Sequence, residues 1–561
     1  MQLNNKRTGG PDGIVAEALK LGGNLTAEWI HRVLGPCWSD PELVPAQLCA
    51  TNTVMIHKRG KDPTDLDSYR PISLTCCVLR VAEKVILKRL QGHYESRLDR
   101  VQAGFVKSRQ LSEHILTVKT LTEQATASKE HFSAVFVDLS QAYDHVSRDK
   151  LFDCLRHHGT PESCLQLVEA IYRATSFRVR CGPSISTTKR SRRGVLQGST
   201  LSPIFFNLYL QTLLEEVMQE WDTEGLQGLR REKLNEEEIA WPPTGVPTGE
   251  DLFIRLLIYA DDITLLAETK QMAEAMTEVL ARACARYGLT ISPNKSSWTR
   301  LGHGRAGFPG QNMLVPSLPA PIPHSTTIKY LGTMINEDAD DNTIIDARIK
   351  AAWRAYGRHM KFLKNSAIPR NTRIRFARST VFPCLTFGLE VLTFREAAIT
   401  RIQRFEDKIY RCILGFSWSR STTRSEVREI IQRCAPTPLW LAQKVRMLRL
   451  QLVGHVLRSQ TICRDLLFSR SPHQKKGRKK SFLGQIAQDL SLVKTFTTPD
   501  PLTVVVRDRN RFRKACFEYV RARGEAGRLV CPTCGKEYIT NRPFVKHQIV
   551  CNPNTTTSQS R

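Results

Sequence analysis

Residues 253–266, with the sequence FIRLLIYADDITLL, contain the acidic pair that indicates the fold of this chain. Two apolar runs flank Ala260, Asp261 and Asp262, and two such runs joined by a short connection predict a β-hairpin. The hairpin would carry both carboxylates at its tip. Taken alone, an Asp-Asp pair after a strand is most often ordinary turn chemistry. Its meaning therefore depends on what the rest of the chain places near it.

A third carboxylate follows another strand. Residues 132–138, FSAVFVD, predict a buried strand that ends on Asp138. Carboxylates from neighbouring strands are what a nucleotidyl transferase needs to hold two divalent ions around the attacking and leaving oxygens of a phosphoryl transfer. Mg²⁺ prefers such oxygen ligands to histidine or cysteine. The three aspartates together therefore predict a magnesium site.

Between these two acidic sites lies a glycine-bounded turn. Residues 193–203, RGVLQGSTLSP, enter an apolar run over 204–210 that predicts a helix. With this segment, three stretches closely resemble motifs A, B and C of reverse transcriptases: FVDLSQAYD (136–144), GVLQG with LSP (194–198 and 201–203) and YADD (259–262).

Further stretches extend the resemblance to the reverse transcriptases of non-LTR (LINE-type) retrotransposons. YRPISL (69–74) and QAGF (102–105) are similar to fingers motifs, and GPDGI (10–14) to the segment that opens the domain. GLTISPNK (288–295) and KYLG (329–332) resemble motifs D and E, and GHVLR (454–458) is also similar to that group. The resemblance is strong over about residues 9–335 and weaker through the helical segment that follows. One departure is Ser199, where many LINE-type enzymes carry cysteine.

The resemblance implies the catalytic metal ligands. Asp138 and Asp261 occupy the positions of the Mg²⁺ ligands, and Asp262 that of the weaker third carboxylate. Two catalytic Mg²⁺ ions are implied, with Mn²⁺ as an alternative.

The resemblance also implies the contacts to the incoming dNTP and the template. Arg70 would pair with the triphosphate, since a planar guanidinium suits phosphate oxygens. Tyr143 holds the aromatic position that blocks a ribose 2′-OH, although it could instead be a core tyrosine. Gln197 and Gly198 would shape the pocket for template and nucleotide. Lys295 is a candidate proton donor to pyrophosphate, or a solvated loop lysine. Lys58 and Lys61 are lower-ranked phosphate contacts.

The implied fold is an α/β (α+β) right-hand polymerase followed by a basic helical C-terminal region and a small ββα-type zinc finger. We expect an N-terminal extension and fingers over 1–130, a palm over 131–340 and a helical thumb over 341–460. A basic linker over 461–525, a C2HC finger over 526–555 and a tail over 556–561 would complete the chain.

A structural zinc site is predicted near the C-terminus. Cys531, Cys534, His547 and Cys551 have tetrahedral zinc-ligand spacing, a knuckle pair followed by a pair one helical turn apart. Tyr538 and Phe544 lie where a ββα finger places its small core. The finger would contact DNA or RNA, or only protein.

Positive charge is concentrated in the C-terminal part of the chain. Residues 351–561 hold 41 Lys and Arg against 13 Asp and Glu, whereas the first 350 residues hold 41 of each sign. Such asymmetry favours a polyanionic partner. We expect an RNA template and a DNA primer or target, with dNTPs as substrates. The basic stretch 475–480 predicts either a nuclear import signal or a phosphate-binding linker. We expect synthesis and RNA loading in the cytoplasm and function in the nucleus.

The sequence excludes some classes and leaves others open. No run of 18 apolar residues predicts a membrane span, and the scattered cysteines are typical of reduced thiols. The chain starts almost at the polymerase segment and only ten residues follow Cys551, so we expect no endonuclease in this chain and a nicking endonuclease from elsewhere. Two alternatives remain: an inert nucleic-acid-binding relic, and an RNA-dependent RNA polymerase. Tyr143 and Ala260 disfavour the second, because that class usually carries Gly-Asp-Asp.

Overall fold

The computed structural model describes residues 3–58, 60–234, 250–303, 310–337, 340–393, 396–416, 422–437, 439–473, 482–493, 502–522, 529–530 and 537–538. Among the described residues of the first 130, the chain forms six α-helices and two strands. They are α1 (Ala16–Leu21), α2 (Gly23–Leu34), α3 (Pro36–Ser39), α4 (Ala46–Cys49), β1 (Ala50–His57), β2 (Tyr69–Thr75), α5 (Cys77–Glu95) and α6 (Leu111–Ser128).

The next 200 residues alternate strands and helices. Their elements are β3 (His131–Val137), α7 (Ala142–His145), α8 (Arg148–His157), α9 (Glu162–Ala174), β4 (Ser176–Cys181), β5 (Ser184–Ile185), β6 (Lys189–Arg190), α10 (Ser202–Thr223), β7 (Leu229–Lys233), β8 (Leu252–Ile254), β9 (Leu256–Tyr259), β10 (Asp262–Ala267), α11 (Lys270–Arg286), β11 (Ser297–Gly302), β12 (Thr327–Tyr330) and β13 (Thr333–Asn336).

Two sheets organise this part of the chain. A four-stranded antiparallel sheet has the order β11-β3-β10-β9, and its central strands β3 and β10 are almost entirely buried. In the second sheet β1 pairs antiparallel with β2 and parallel with β4. The predicted strand ending at Asp138 and the hairpin around the acidic pair are both confirmed.

The strand predicted over 253–259 is interrupted at Arg255. Its first half, β8, pairs with β7, whereas its second half, β9, pairs with β10. Arg255 also forms an ion pair with Asp222, at the end of α10. The chain therefore changes pairing partner at Arg255 before it reaches the acidic turn.

Helices dominate after residue 340, as expected. They are α12 (Asp341–Arg358), α13 (Met360–Lys364), α14 (Arg370–Thr380), α15 (Phe382–Thr386), α16 (Glu396–Leu414), α17 (Arg424–Cys434) and α18 (Leu441–Arg458). They enclose a core of their own, which runs from Ile344 to Val445.

The structure corrects the prediction of a linker over 461–525. This segment forms α19 (Ile462–Leu467), β14 (Ser469–Arg470), α20 (Phe482–Val493), α21 (Leu502–Arg507) and α22 (Arg509–Ala522), and the short strands β15 (Leu529–Val530) and β16 (Glu537–Tyr538) follow.

Helix α22 packs against α18 because its apolar residues recur at helical spacing. Phe512, Cys516 and Tyr519 are buried in the same core as the four-stranded sheet. The strongly basic residues 474–481 lie outside the described part of the chain. Within that part, no helix combines the length and apolar character that crossing a membrane requires.

Candidate active site

The acidic residues meet at one end of the four-stranded sheet. Ile263 pairs with Ile258 on one side and with Val137 on the other. Since β3 and β10 are antiparallel, the residue after Val137 lies opposite the residue before Ile263. That register places Asp138 opposite Asp262, with Asp261 in the adjoining turn.

The segment after α11 fixes the end of β3. The backbone N–H of Asp138 donates to Ser296 Oγ at 3.1 Å, and its carbonyl accepts from the backbone N–H of Ser292 at 2.9 Å. Ser140 adds a further bond, donating from its backbone N–H to the carbonyl of Thr290 at 2.8 Å. The backbone of Asp138 is therefore held through both its N–H group and its carbonyl group.

Burial raises the proton affinity of all three carboxylates, and neighbouring aspartate charges add to it at Asp261 and Asp262. Burial raises the pKa of Asp138, which the charges of Lys295 and Lys58 partly offset. Burial and the Asp138 charge also raise the pKa of Asp261, and its own backbone N–H and Arg70 act against them. Although Asp262 is exposed, desolvation and then the charges of Asp261 and Asp138 raise its pKa to about 6.

The carboxylate set fits divalent metal ions. Among the described residues, none of the three aspartates forms an ion pair, so their mutual repulsion is not neutralised at contact distance. Paired carboxylates without a contacting cation are a site that a hard cation stabilises, and Mg²⁺ prefers such oxygen ligands. Asp138, Asp261 and Asp262 are the residues that would hold it.

The side chain of Gln102 holds the backbone of the acidic turn. Its side-chain Oε1 accepts from the backbone N–H of Ala260 at 3.1 Å and from that of Gly104 at 2.8 Å. Ala260 has φ +57°, a left-handed conformation that a non-glycine residue seldom adopts. Sequence reasoning assigned Gln102 only to a motif, because its partner lies 158 residues away.

The close approach of Gly104 to the backbone of Ala260 requires a glycine at position 104. A Cβ on Gly104 would lie 2.2 Å from the backbone nitrogen of Ala260, and no side chain fits there. Asn207, on α10, donates from Nδ2 to the carbonyl of Gly104 at 2.7 Å. The QAGF stretch is therefore the support of the acidic turn.

Tyr143 lies beside the carboxylates. Its ring stacks on Phe206 with centroids 4.7 Å apart, and the charge of Asp261 reinforces the effect of burial in raising the pKa of its phenol. The hydroxyl is buried and has no hydrogen-bond partner among the described residues. The side chain is only partly buried, so the ring also borders the site.

Gln197 and Gly198 pack against β2. The carbonyl of Gln197 accepts from the backbone N–H of Ser73 at 2.7 Å, and its Nε2 donates to Asp144 Oδ2 at 3.0 Å. Gly198 has φ +127°, and a Cβ there would lie 2.5 Å from the carbonyl oxygen of Ser73. Both residues thus connect the turn before α10 to the strand that carries Arg70.

The basic residues surround the carboxylates without contacting them. Arg70 is exposed on β2, and its charge reaches Asp261. Lys295 and Lys58 act on Asp138 in the same way, and Lys58 Nζ also donates to the carbonyl of Asp67 at 2.7 Å. Lys61 is exposed on the adjoining loop. Arg70, Lys58 and Lys295 therefore converge on the site.

Sequence reasoning missed Glu83. This residue of α5 is 2% exposed, and its carboxylate accepts from Ser199 Oγ at 2.6 Å and from the backbone N–H of Thr200 at 3.0 Å. Burial raises its pKa. A glutamate in a helix of mixed polarity gives no local signal of this role, because the partners lie more than 100 residues away.

The predicted zinc ligands Cys531, Cys534, His547 and Cys551 lie outside the described residues. The strands β15 and β16 on either side of the cysteine pair are antiparallel, with Leu529 opposite Tyr538.

Comparison with known proteins gives a family match over the region of the site. Residues 56–335 match the family model "Reverse transcriptase (RNA-dependent DNA polymerase)". An RNA-directed DNA polymerase from mobile element jockey of Drosophila melanogaster is 24% identical over 389 residues, covering 66% of this chain and 38% of that protein. The Pol polyprotein of the type-1 retrotransposable element R2 from Popillia japonica is 24% identical over 373 residues, covering 66% of this chain and 47% of that protein.

This chain thus spans less than half the length of these relatives. Among solved structures, the apo telomerase of Candida tropicalis is similar with a TM-score of 0.38 and 11% identity, over 83% of this chain and 69% of that one.

Proposed function

Residues 56–335 form a reverse transcriptase domain of the non-LTR retrotransposon type, and on that premise we propose that this chain extends a DNA 3′-OH on an RNA template. The proposal rests on one observation: Asp138, Asp261 and Asp262 meet at one end of the four-stranded sheet, with no contacting cation among the described residues. The reaction would be target-primed reverse transcription, with dNTPs as substrates.

The aspartates would hold two Mg²⁺ ions, which lower the barrier to attack by a primer 3′-oxygen and stabilise the charge on the leaving oxygen. The bond from the primer 3′-oxygen to the α-phosphorus forms as the bond from that phosphorus to the bridging oxygen breaks; the 3′-OH proton passes to solvent water and pyrophosphate leaves. Arg70 would orient the triphosphate, and Lys295 would donate a proton to the pyrophosphate. The charges of both residues already reach the carboxylates.

Tyr143, Gln197 and Gly198 would form the nucleotide and template pocket. Stacking on Phe206 holds the tyrosine ring, which would exclude a ribose 2′-OH. The backbone contact with Ser73 holds Gln197 and Gly198 against the strand of Arg70. These contacts support a preformed pocket, since helix α10 holds the Tyr143 wall and strand β2 holds the wall of Gln197 and Gly198.

We further propose a right-hand architecture, with fingers over 1–130, a palm over 131–340 and a thumb over 341–460. The sheet with the carboxylates lies within the proposed palm, and the separate core of α12–α18 supports the proposed thumb. The C-terminal helices α19–α22 would extend the polymerase rather than link it to the finger.

Primer extension tests the catalytic assignment. The assay uses the full chain with poly(rA)–oligo(dT), dTTP and Mg²⁺, and compares Asp261→Asn with Asp153→Asn, which alters an exposed aspartate of α8. We expect extension by wild type and by Asp153→Asn, and none by Asp261→Asn. Extension by Asp261→Asn at the wild-type rate would refute the assignment. Incorporation of NTPs in preference to dNTPs would instead identify an RNA polymerase.

We also propose that Cys531, Cys534, His547 and Cys551 bind one structural zinc ion, as their spacing supports. Cys534→Ser should lose zinc and weaken target binding while sparing synthesis on a simple primed template. Collapse of that synthesis would make the finger part of the polymerase.

A nuclear site of action is proposed from the basic stretch 475–480 and is tested by imaging a fluorescent fusion with and without those lysines.

A further inference from the structure

Two histidines and a glutamate that belong to none of the sequence motifs described above come together in the structure. His157 is the last residue of α8, His158 follows it, and Glu215 lies on α10. One potential ligand atom from each of the three lies within 4.8 Å of the others. His157 is exposed and Glu215 half-buried, so the cluster is open to solvent on one side.

The surrounding contacts hold two of the three side chains in place. Glu215 Oε2 lies 3.0 Å from His157 Nε2, while its Oε1 accepts from Gln211 Nε2 at 3.2 Å. The buried ring of His158 lies with Nε2 3.0 Å from Thr212 Oγ1. Outer partners of this kind, which orient a carboxylate and an imidazole, are typical of metal sites.

The backbone beneath the cluster is also fixed. Gln211 accepts at its Oε1 from the backbone N–H of Asp99 at 3.0 Å, and His93 Nε2 lies 2.8 Å from the carbonyl oxygen of His158. Helices α5, α8 and α10 therefore meet at this corner, and the positions of His158 and Glu215 are set before any ion arrives.

From this arrangement we propose that His157, His158 and Glu215 form a second zinc site. Two imidazole nitrogens and one carboxylate oxygen suit Zn²⁺, which takes nitrogen and oxygen ligands in tetrahedral geometry, with water in the fourth position. Mg²⁺ is disfavoured here because it prefers oxygen ligands alone. The ion would join the end of α8 to the middle of α10, the helix that begins just after Gln197 and Gly198.

Counting zinc ions on the purified full chain tests the proposal. The protein is stripped of metal, then equilibrated with Zn²⁺ in excess Mg²⁺ so that the carboxylate site is saturated, and bound zinc is measured by mass spectrometry. The test variant is His157→Ala, and the matched control is His31→Ala, which alters an exposed histidine in the last turn of α2.

We expect His157→Ala to bind one zinc ion fewer than wild type, and His31→Ala to bind the same number. Removing a ligand should weaken zinc binding by more than the roughly 10–100-fold that loss of an outer partner produces. Glu215→Gln should show the same deficit, whereas Cys534→Ser should lose a different zinc ion and retain this one. Equal zinc counts in His157→Ala and wild type would overturn the proposal and leave His157 and Glu215 as a hydrogen-bonded pair at the surface. Neither result depends on polymerase activity.

Discussion

The side-chain oxygen of Gln102 accepts a hydrogen bond from the backbone N–H of Ala260 at 3.1 Å. This bond crosses from the segment before α6 to the turn that carries Asp261, and the same oxygen also binds Gly104. The side-chain amide of this one buried residue therefore fixes the position of the acidic turn relative to Asp138.

Replacing Gln102 with leucine should loosen the turn. Two buried N–H groups would lose their acceptor, at about 1–3 kcal/mol each. Because the turn that carries Asp261 would lose this support, we expect primer extension to slow roughly tenfold or more, which corresponds to about 1.4 kcal/mol in the barrier, and to need more Mg²⁺. Titration of activity with Mg²⁺ measures both effects. Gln166→Leu, at an exposed position on α9, should behave as wild type. An unchanged Mg²⁺ requirement in Gln102→Leu would contradict this role.

Gly198→Ala should destabilise the turn before α10. A left-handed φ costs a non-glycine residue about 1–3 kcal/mol, and the new Cβ would also lie 2.5 Å from the carbonyl oxygen of Ser73. We expect a lower melting temperature and little extension. Gly92→Ala, in the exposed face of α5 with open space around it, is the matched control and should be neutral or stabilising. Normal stability of Gly198→Ala would show that the turn can shift.

Glu83→Ala should leave two buried groups without an acceptor. Ser199 Oγ and the backbone N–H of Thr200 both donate to this carboxylate. The loss should be about 1–3 kcal/mol for each unsatisfied donor. Denaturant unfolding measures it, with the exposed Glu162→Ala as control. Equal midpoints for the two variants would mean that water replaces the carboxylate.

Tyr143→Val should relax sugar selection. The smaller side chain would remove the ring that borders the site, so we expect a higher ratio of NTP to dNTP incorporation. Tyr143→Phe keeps the ring stacked on Phe206 and removes a hydroxyl that has no partner among the described residues. It should therefore retain both activity and discrimination. Single-nucleotide insertion kinetics compare the three proteins, and an unchanged ratio in Tyr143→Val would reject the assignment.

His114 should make stability fall in mild acid. Burial lowers its pKa from 6.5 to about 4, and its ring packs edge-on against Tyr259. The folded state then binds fewer protons than the unfolded state between these pH values. The neutral ring makes its full contribution to the free energy of unfolding above pH 6.5, and this contribution is lost as the pH falls towards 4.

The full effect of His114 on stability is about 3 kcal/mol. Unfolding free energies of wild type and His114→Leu, measured across this range, should show a shallower acid loss in the variant. Parallel curves would mean that His114 is solvated in the folded protein.

The sequence was sufficient to predict the hairpin around Asp261 and the strand that ends at Asp138. Both depend on local patterns: apolar runs of strand length and a short polar connection. The order of the motifs along the chain also predicted that these carboxylates lie close together. The supporting residues could not be predicted in this way, because Gln102 and Glu83 act on partners more than 100 residues away.

The error over 461–525 has a different cause. The apolar positions of α22, such as Phe512, Cys516 and Tyr519, do recur at helical spacing, but arginines crowd its other face. High charge suggested a solvated segment, whereas one buried stripe is enough to dock a helix.

The docking of α18–α22 into the core of the sheet has a consequence for how the chain is made. Glu113, near the start of α6, contacts both His455 and Thr461, partners about 340 residues later in the sequence. Contacts of such high sequence separation form slowly, because a long loop must close first. A nascent chain on the ribosome therefore cannot complete its polymerase core until α22 has emerged. Until then, apolar residues of α18 such as Val453 and Val456 lack their partners in the core, and this exposed apolar surface favours aggregation of the growing chain.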